Sequence, residues 1–355
     1  MRKNSKVFLL PLIVLLVLLG TSSSARAFEL NGFGDVTFTN STKTNNDQGA
    51  FALGGLDLYV SQPIDDRMDV FVELVVEADD TGNFVLDLER LQLGYLINDA
   101  LKVRAGRFHN IIGYWNTAFH HGAQLQTSIE RPAFLEFEDG GGILPAHLVG
   151  LWASGRYKTA PLSLTYGVMV GNGAKVQDGA LSPNNKSDDS GNKAVSFRLT
   201  AEPDGIPGLM FGVSGDYAVV GGFTGSNEIM RVKQNIASLD VTYFEKPFEF
   251  LAEYYLIRDK DDFSGGKKYS SNAYYIQGGY VIKDRFIPYA RYEKVSLDDK
   301  GDPYFGALGT KESKRTIAGM RYNLSVSSAV KAEVRFINNG TEKFEEYAAQ
   351  WSVAF

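Results

Sequence analysis

The sequence predicts an all-β protein, a 16-stranded antiparallel transmembrane β-barrel with an inward-folded third loop. Three observations predict it. After residue 27 the chain alternates with a period of two in runs of roughly 9–14 residues, longer than the ~5–6 of ordinary soluble strands and long enough to cross a tilted bilayer span. There are sixteen such runs, an even number. Their connectors are alternately short and long.

Composition bounds the alternatives. The 355 residues contain no cysteine, which removes disulfides, thiolate metal sites and catalytic thiols together. Mean hydropathy is slightly negative, which argues against several membrane helices of about 20 apolar residues each. The net charge of −6 disfavours sequence-independent nucleic-acid binding.

Taken in order, the first element is an address. Arg2, Lys3 and Lys6 form a basic head, residues 7–19 are apolar and interrupted only by Pro11, and Ala25-Arg26-Ala27 supplies an A-x-A cleavage pattern. Residues 1–27 therefore read as a secretory signal peptide, and residues 28–355 as the barrel. No cysteine follows the apolar stretch, which excludes a lipoprotein anchor. The mature chain carries 32 basic and 42 acidic residues, net −10.

The strands are expected near 28–40, 49–61, 67–79, 83–97, 101–109, 146–158, 161–172, 193–202, 208–220, 231–245, 248–258, 269–282, 285–297, 312–325, 328–338 and 344–355. Val330, Ala332, Val334 and Phe336 alternate with Lys331, Glu333 and Arg335. A helix would mix these two sets on every face, whereas a strand separates them. In the fourth run the phase changes around Leu88 to Leu91, which predicts a bulge. Every second connector is short, as at 62–66, 98–100, 159–160, 245–247, 283–284 and 326–327, and the intervening ones, such as 172–192, 259–268 and 298–311, are mostly long and polar. Short turns on one side and long loops on the other are the pattern of outer-membrane barrels. Tyr59, Tyr95, Tyr157, Tyr243, Phe248, Tyr322 and Phe336 fall near strand ends, where interfacial girdles lie. The final run alternates through Tyr347, Ala349, Trp351 and Val353 to Phe355. It must close on the first, because no unpaired edge survives in lipid.

One segment breaks the rhythm. Residues 110–145, between the fifth and sixth runs, show no sustained alternation yet carry Ile111, Ile112, Tyr114, Trp115, Phe119, Phe134, Leu135 and Phe137. A loop this long and this apolar must pack on something. A sixteen-strand barrel encloses an aqueous channel, and folding inward gives the loop a wall to cover. The stretch Arg104-Ala105-Gly106-Arg107-Phe108 entering the loop, with Ile129-Glu130-Arg131 inside it, resembles outer-membrane porins of the phosphate-selective O/P family. The resemblance implies a third loop that narrows the pore, a Gram-negative outer membrane with its lipid and lipopolysaccharide as surroundings, and a homotrimer. The short connector at 80–82 departs from the latching second loop of general porins. The acidic residues of the loop depart from an anion-guiding ladder.

These charges supply the candidate site. The constriction is expected to carry Glu130, Arg131, Glu136, Glu138, Asp139, His120 and His121, facing wall residues Arg104, Arg107, Arg156, Arg291, Arg321 and Arg335. An arginine facing lipid near the midplane would cost about 2–4 kcal/mol, so the lumen is the economical place for them. Opposed rows of charge would set up a transverse field that orients dipolar solutes. All four histidines, His109, His120, His121 and His147, lie in or beside the loop. No metal or other cofactor is expected, because adjacent His120 and His121 point apart on an extended backbone and no His-x-x-x-His spacing exists. No G-x-S-x-G, H-E-x-x-H or P-loop pattern occurs, so no enzymatic activity is expected. The predicted function is passive diffusion of small hydrophilic solutes or ions. Two rivals are a barrel sheathing an electron carrier and a barrel hydrolase.

Overall fold

The computed structural model describes residues 30–43, 49–78, 82–119, 122–136, 141–182 and 193–355. The expected signal peptide lies outside them, as do His120, His121, Glu138 and Asp139.

The alternating runs become hydrogen-bonded strands almost residue for residue. They are β1 (Leu30–Ser41), β2 (Ala50–Leu53), β3 (Leu56–Pro63), β4 (Met68–Ala78), β5 (Phe84–Asn98) and β6 (Leu101–His109). After the long loop come β7 (His147–Thr159), β8 (Leu162–Asn172), β9 (Lys175–Gln177), β10 (Ala180–Ser182), β11 (Lys193–Pro203), β12 (Leu209–Thr224) and β13 (Asn227–Glu245). The last are β14 (Phe248–Asp261), β15 (Lys267–Tyr280), β16 (Phe286–Ser296), β17 (Ser313–Ser325), β18 (Ser328–Asn338) and β19 (Lys343–Ala354). Strands β2 and β3 are halves of one wall strand, since both pair with β1 on either side of Gly54-Gly55. Strands β9 and β10 form a small hairpin in the loop after β8. Sixteen antiparallel wall strands result. The ring closes where β19 pairs with β1 from Phe33↔Ala354 to Ser41↔Glu346, and Gly32 and Phe355 exchange N–H···O bonds of 2.9 and 3.0 Å.

Alternation sorts the wall into two faces. In β18, Lys331, Glu333 and Arg335 are buried while Val330 and Phe336 are exposed. In β14, Leu251, Glu253, Tyr255 and Ile257 are buried while Phe250 and Tyr254 are exposed. The outer face is an apolar belt, with Leu151, Leu239 and Ile276 each about half exposed to solvent or more. Such a belt suits hydrocarbon, and the charged residues go inside. Of the expected girdle aromatics, Tyr95, Tyr157, Phe248, Tyr322 and Phe336 are exposed on the outer surface.

Two local departures have physical causes. The bulge in β5 sits at Glu89: Glu73 pairs with Arg90 and Leu74 with Leu88, so Glu89 is the extra residue. The β12–β13 hairpin runs further than the alternation indicates, to Thr224↔Asn227. Gly221 and Gly222 carry no side chains to continue the pattern, yet their backbones stay in the ladder up to an irregularity between Gly222 and Phe223.

Inside the ring lies a second, apolar core. Ile111, Ile112, Trp115, Phe134, Leu135, Ile143 and Leu144 of the long loop pack with Val232, Ile236, Tyr255, Ile257, Tyr275 and Val295 of the wall. The loop contains helix α1 (Trp115–Ala118) and a 3-10 turn at Ala133–Leu135. A second helix, α2 (Pro303–Leu308), caps this core from the loop between β16 and β17. Asp302 caps it by accepting from the Tyr304 N–H, Pro303 supplies a fixed φ at its start, and Gly309 ends it at φ +65°. The Tyr304 hydroxyl donates to the Ile143 carbonyl at 2.8 Å.

Candidate functional site: the lumen and its inner loop

The loop enters the lumen because β6 loses its alternation. Gly106 has φ +143°, where an added Cβ would meet the Leu91 carbonyl oxygen at 1.8 Å. Beyond it Arg107, Phe108 and His109 are all buried.

The neck is then fixed to the opposite wall. Asn110 donates to Asp216 at 3.1 Å, and the Gly113 N–H to the Ser214 hydroxyl at 2.9 Å, both on β12. The Tyr114 and Trp115 N–H groups each donate to one Glu253 oxygen at 2.8 Å. The same two oxygens accept from the Tyr255 and Tyr275 hydroxyls at 2.5 and 2.6 Å. Four donors thus converge on one buried carboxylate on β14. Gly113 makes this approach possible: its φ is +74°, and a Cβ there would lie 1.8 Å from the Tyr255 hydroxyl.

Further along, wall side chains of both signs hold the loop by its backbone. Arg291 donates to the Glu130 and Arg131 carbonyls and to the Ser128 hydroxyl. Arg321 donates to the carbonyls of Gln124 and Gln126, at 2.8 and 2.7 Å. Lys331 donates to the Ala123 and Ser128 carbonyls. In the other direction the Ile129 N–H donates to Glu333 at 2.7 Å and the Ala133 N–H to Glu293 at 2.8 Å. Contacts to β12, β14, β16, β17 and β18 on the face opposite the apolar belt put residues 110–119 and 122–136 within the ring.

The candidate residues separate accordingly. Arg291, Arg321 and Arg335 are buried against the loop. Arg335 bridges Glu130, Glu333 and Glu346 at 2.6–2.8 Å. Glu136 is half-buried; burial first, then the neighbouring Glu130 carboxylate, push it up to about 7. Arg131 gives its carbonyl to Arg291. Arg107 donates to the Leu88 carbonyl and lies 3.4 Å from Glu89. Arg104 lies over the Trp152 ring and donates to Ser154. Arg156 pairs with Glu202 at 3.3 Å, both exposed, an ion pair worth at most about 1 kcal/mol.

The loop leaves one side of the lumen open. A cavity of about 440 Å³ runs along the inner faces of β5–β8 and β11 and reaches the short-turn end at Asp99 and Leu101. Arg90, Lys102, Arg156 and Arg198 line it, each paired with a carboxylate: Glu73, Asp69, Glu202 and Asp240. Sequence reading missed Glu253, Lys331, Glu333 and Arg198. Their position on the charged face of an alternating strand was visible, but nothing local marks which of them meets the loop.

By sequence, no protein-family model and no curated protein matches the chain. By structure it is similar to the anion-selective porin from Comamonas acidovorans (TM-score 0.64, 13% identity, 93% of this chain and 99% of that chain covered). It is equally similar to the outer membrane channel DcaP of Acinetobacter baumannii (TM-score 0.64, 11% identity, 94% and 99% covered). A trimer form of OmpT, an outer membrane protein of Vibrio cholerae, also matches (TM-score 0.61, 13% identity, 93% and 99% covered). The fold is that of the outer-membrane porins.

Proposed function

We propose that the protein is an outer-membrane porin through which small hydrophilic solutes or ions diffuse passively, without catalysis. The observation that carries this reading is a closed sixteen-strand wall, apolar outside and charged inside, with a loop tied across one half of the lumen. Solutes pass on the other half, along the cavity against β5–β8 and β11, so Arg90, Lys102, Arg156 and Arg198 meet them. Arg291, Arg321 and Arg335 hold the loop, with Glu130, Arg131 and Glu136 on its rim; His120, His121, Glu138 and Asp139, which lie outside the described residues, are the further residues proposed for the constriction. Fixed charges of both signs along such a path tune ion choice.

The assembly proposed is a homotrimer in the outer membrane of a Gram-negative bacterium, exported by the signal peptide of residues 1–27 and surrounded by lipid and lipopolysaccharide. The likeness of residues 104–108 to the phosphate-selective O/P porins makes phosphate the first anion to test. Reversal potentials across a planar bilayer in a salt gradient test the reading. Cation and anion permeabilities of comparable size fit the paired charges, and strong anion preference points to the phosphate reading. A barrel that never conducts overturns the porin assignment.

A further inference from the structure

We propose that Glu89, His109 and His147 form a binding site for one borderline divalent metal ion of the zinc class, at the base of the inner loop. The three residues come from β5, β6 and β7, and all are buried: Glu89 is 4% exposed, His109 7% and His147 4%. One donor atom from each lies within 4.8 Å of the other two.

Each partner reaches this place for a separate reason. His109 and His147 are register partners across the β6–β7 ladder, with ring centroids 5.3 Å apart. Glu89 is the extra residue of the β5 bulge, so it turns inward beside Arg90 while Leu88 and Leu91 both stay on the exposed face. Bulges are a common means of re-aiming one side chain toward a site. Zinc bonds of about 2.0–2.2 Å place neighbouring donors on a tetrahedral ion about 3.3 Å apart. The His147 Nε2–Glu89 Oε1 separation is 3.2 Å. His109 Nε2 lies 3.7 Å from Glu73 Oε2, an oxygen that also accepts from Arg90. Closing the set requires donor atoms that now lie within 4.8 Å of one another to approach to about 3.3 Å.

The surroundings favour a cation. Three buried carboxyl groups, Asp57, Glu73 and Glu89, meet two guanidinium groups, Arg90 and Arg107. Asp57 is 2% exposed and lies carboxyl to carboxyl with Glu73. Among the described residues, no amide, hydroxyl or cation bonds to either of its oxygens. Arg107 lies against Glu89 Oε2, the oxygen that does not face His147, as the partners of ligating carboxylates usually do, and Arg90 bonds both oxygens of Glu73. Two imidazoles with carboxylate suit zinc better than calcium or magnesium, which take oxygen. His109 lines the open cavity, which gives the ion an entry path. A cross-strand pair with a bulge residue has no local spacing to detect.

The test is zinc titration calorimetry on the untagged, chelator-treated full-length barrel in detergent, with cobalt absorption spectra reporting the ligand set. One zinc per chain is expected, weakened at least about tenfold in His147→Ala, His109→Ala and Glu89→Gln. The double variant His120→Ala/His121→Ala should bind as the parent does. Heat-dependent electrophoretic mobility confirms that each variant is folded, and His147→Gln replaces any that is not. No zinc binding by the parent overturns the proposal. So does binding that survives all three substitutions, which would place the ion on the acidic outer loops.

Discussion

Replacing Glu253 with glutamine should release the neck of the inner loop while leaving the wall intact. Each carboxylate oxygen now accepts one backbone N–H and one tyrosine hydroxyl. Glutamine turns one oxygen into an NH2 group that faces two donors. The hydroxyl can rotate toward another acceptor, but the backbone N–H of Tyr114 or Trp115 cannot. At least one hydrogen bond to a charged group is therefore lost, about 1.5–3 kcal/mol. With 1.4 kcal/mol per tenfold in an equilibrium constant, local opening of the neck should become about 10- to 100-fold more frequent. Amide hydrogen exchange at residues 112–118 reads this directly, with β1 and β19 as internal controls. Unchanged protection at the neck would refute the anchoring role. Equal loss over the whole barrel would refute its locality.

Other consequences follow from the same geometry. Gly113→Ala forces a Cβ against the Tyr255 hydroxyl and should destabilise the loop by about 1–3 kcal/mol, seen as faster proteolysis within residues 110–136. Deleting residues 124–138 removes the segment held by Arg291, Arg321 and Lys331 and should raise single-channel conductance; an unchanged value would mean that the loop does not limit the path. For Glu136, whose carboxyl is pushed up to about 7 from its ordinary 4.5, the folded state binds the proton more tightly. Its stabilising contribution is complete below pH 4.5 and lost as pH rises through 7. Exchange at residues 133–136, corrected for intrinsic chemistry, should therefore be better protected at pH 5 than at pH 8, and Glu136→Gln should remove the difference. Asp302→Ala should cost about 1 kcal/mol by uncapping α2, detected as weaker protection at Tyr304 and Phe305.

The wall was legible because its code is local. A strand facing lipid on one side and water on the other writes its faces into every second residue, so the sixteen strands, the short turns and the bulge beside Leu88 could be read from sequence alone. Where side chains vanish, as at Gly54-Gly55 and Gly221-Gly222, the pattern could not report a break in one strand or the continuation of another. The lumen was legible only in part. The apolar residues of 110–145 announced a packed loop, and the six arginines announced a charged interior. Which residues meet was hidden by distance along the chain: Trp115 and Glu253 lie 138 positions apart, and Ile129 and Glu333 lie 204 apart. Nothing in the local pattern distinguishes Glu253 from Glu249, four residues earlier on the same face.

The most direct test of a conducting barrel is single-channel recording of the purified, refolded protein in a planar bilayer. Discrete, reproducible conductance steps that enlarge when residues 124–138 are deleted are predicted. Absence of steps from both the intact and the deleted barrel, each shown to be folded and inserted, would contradict the account.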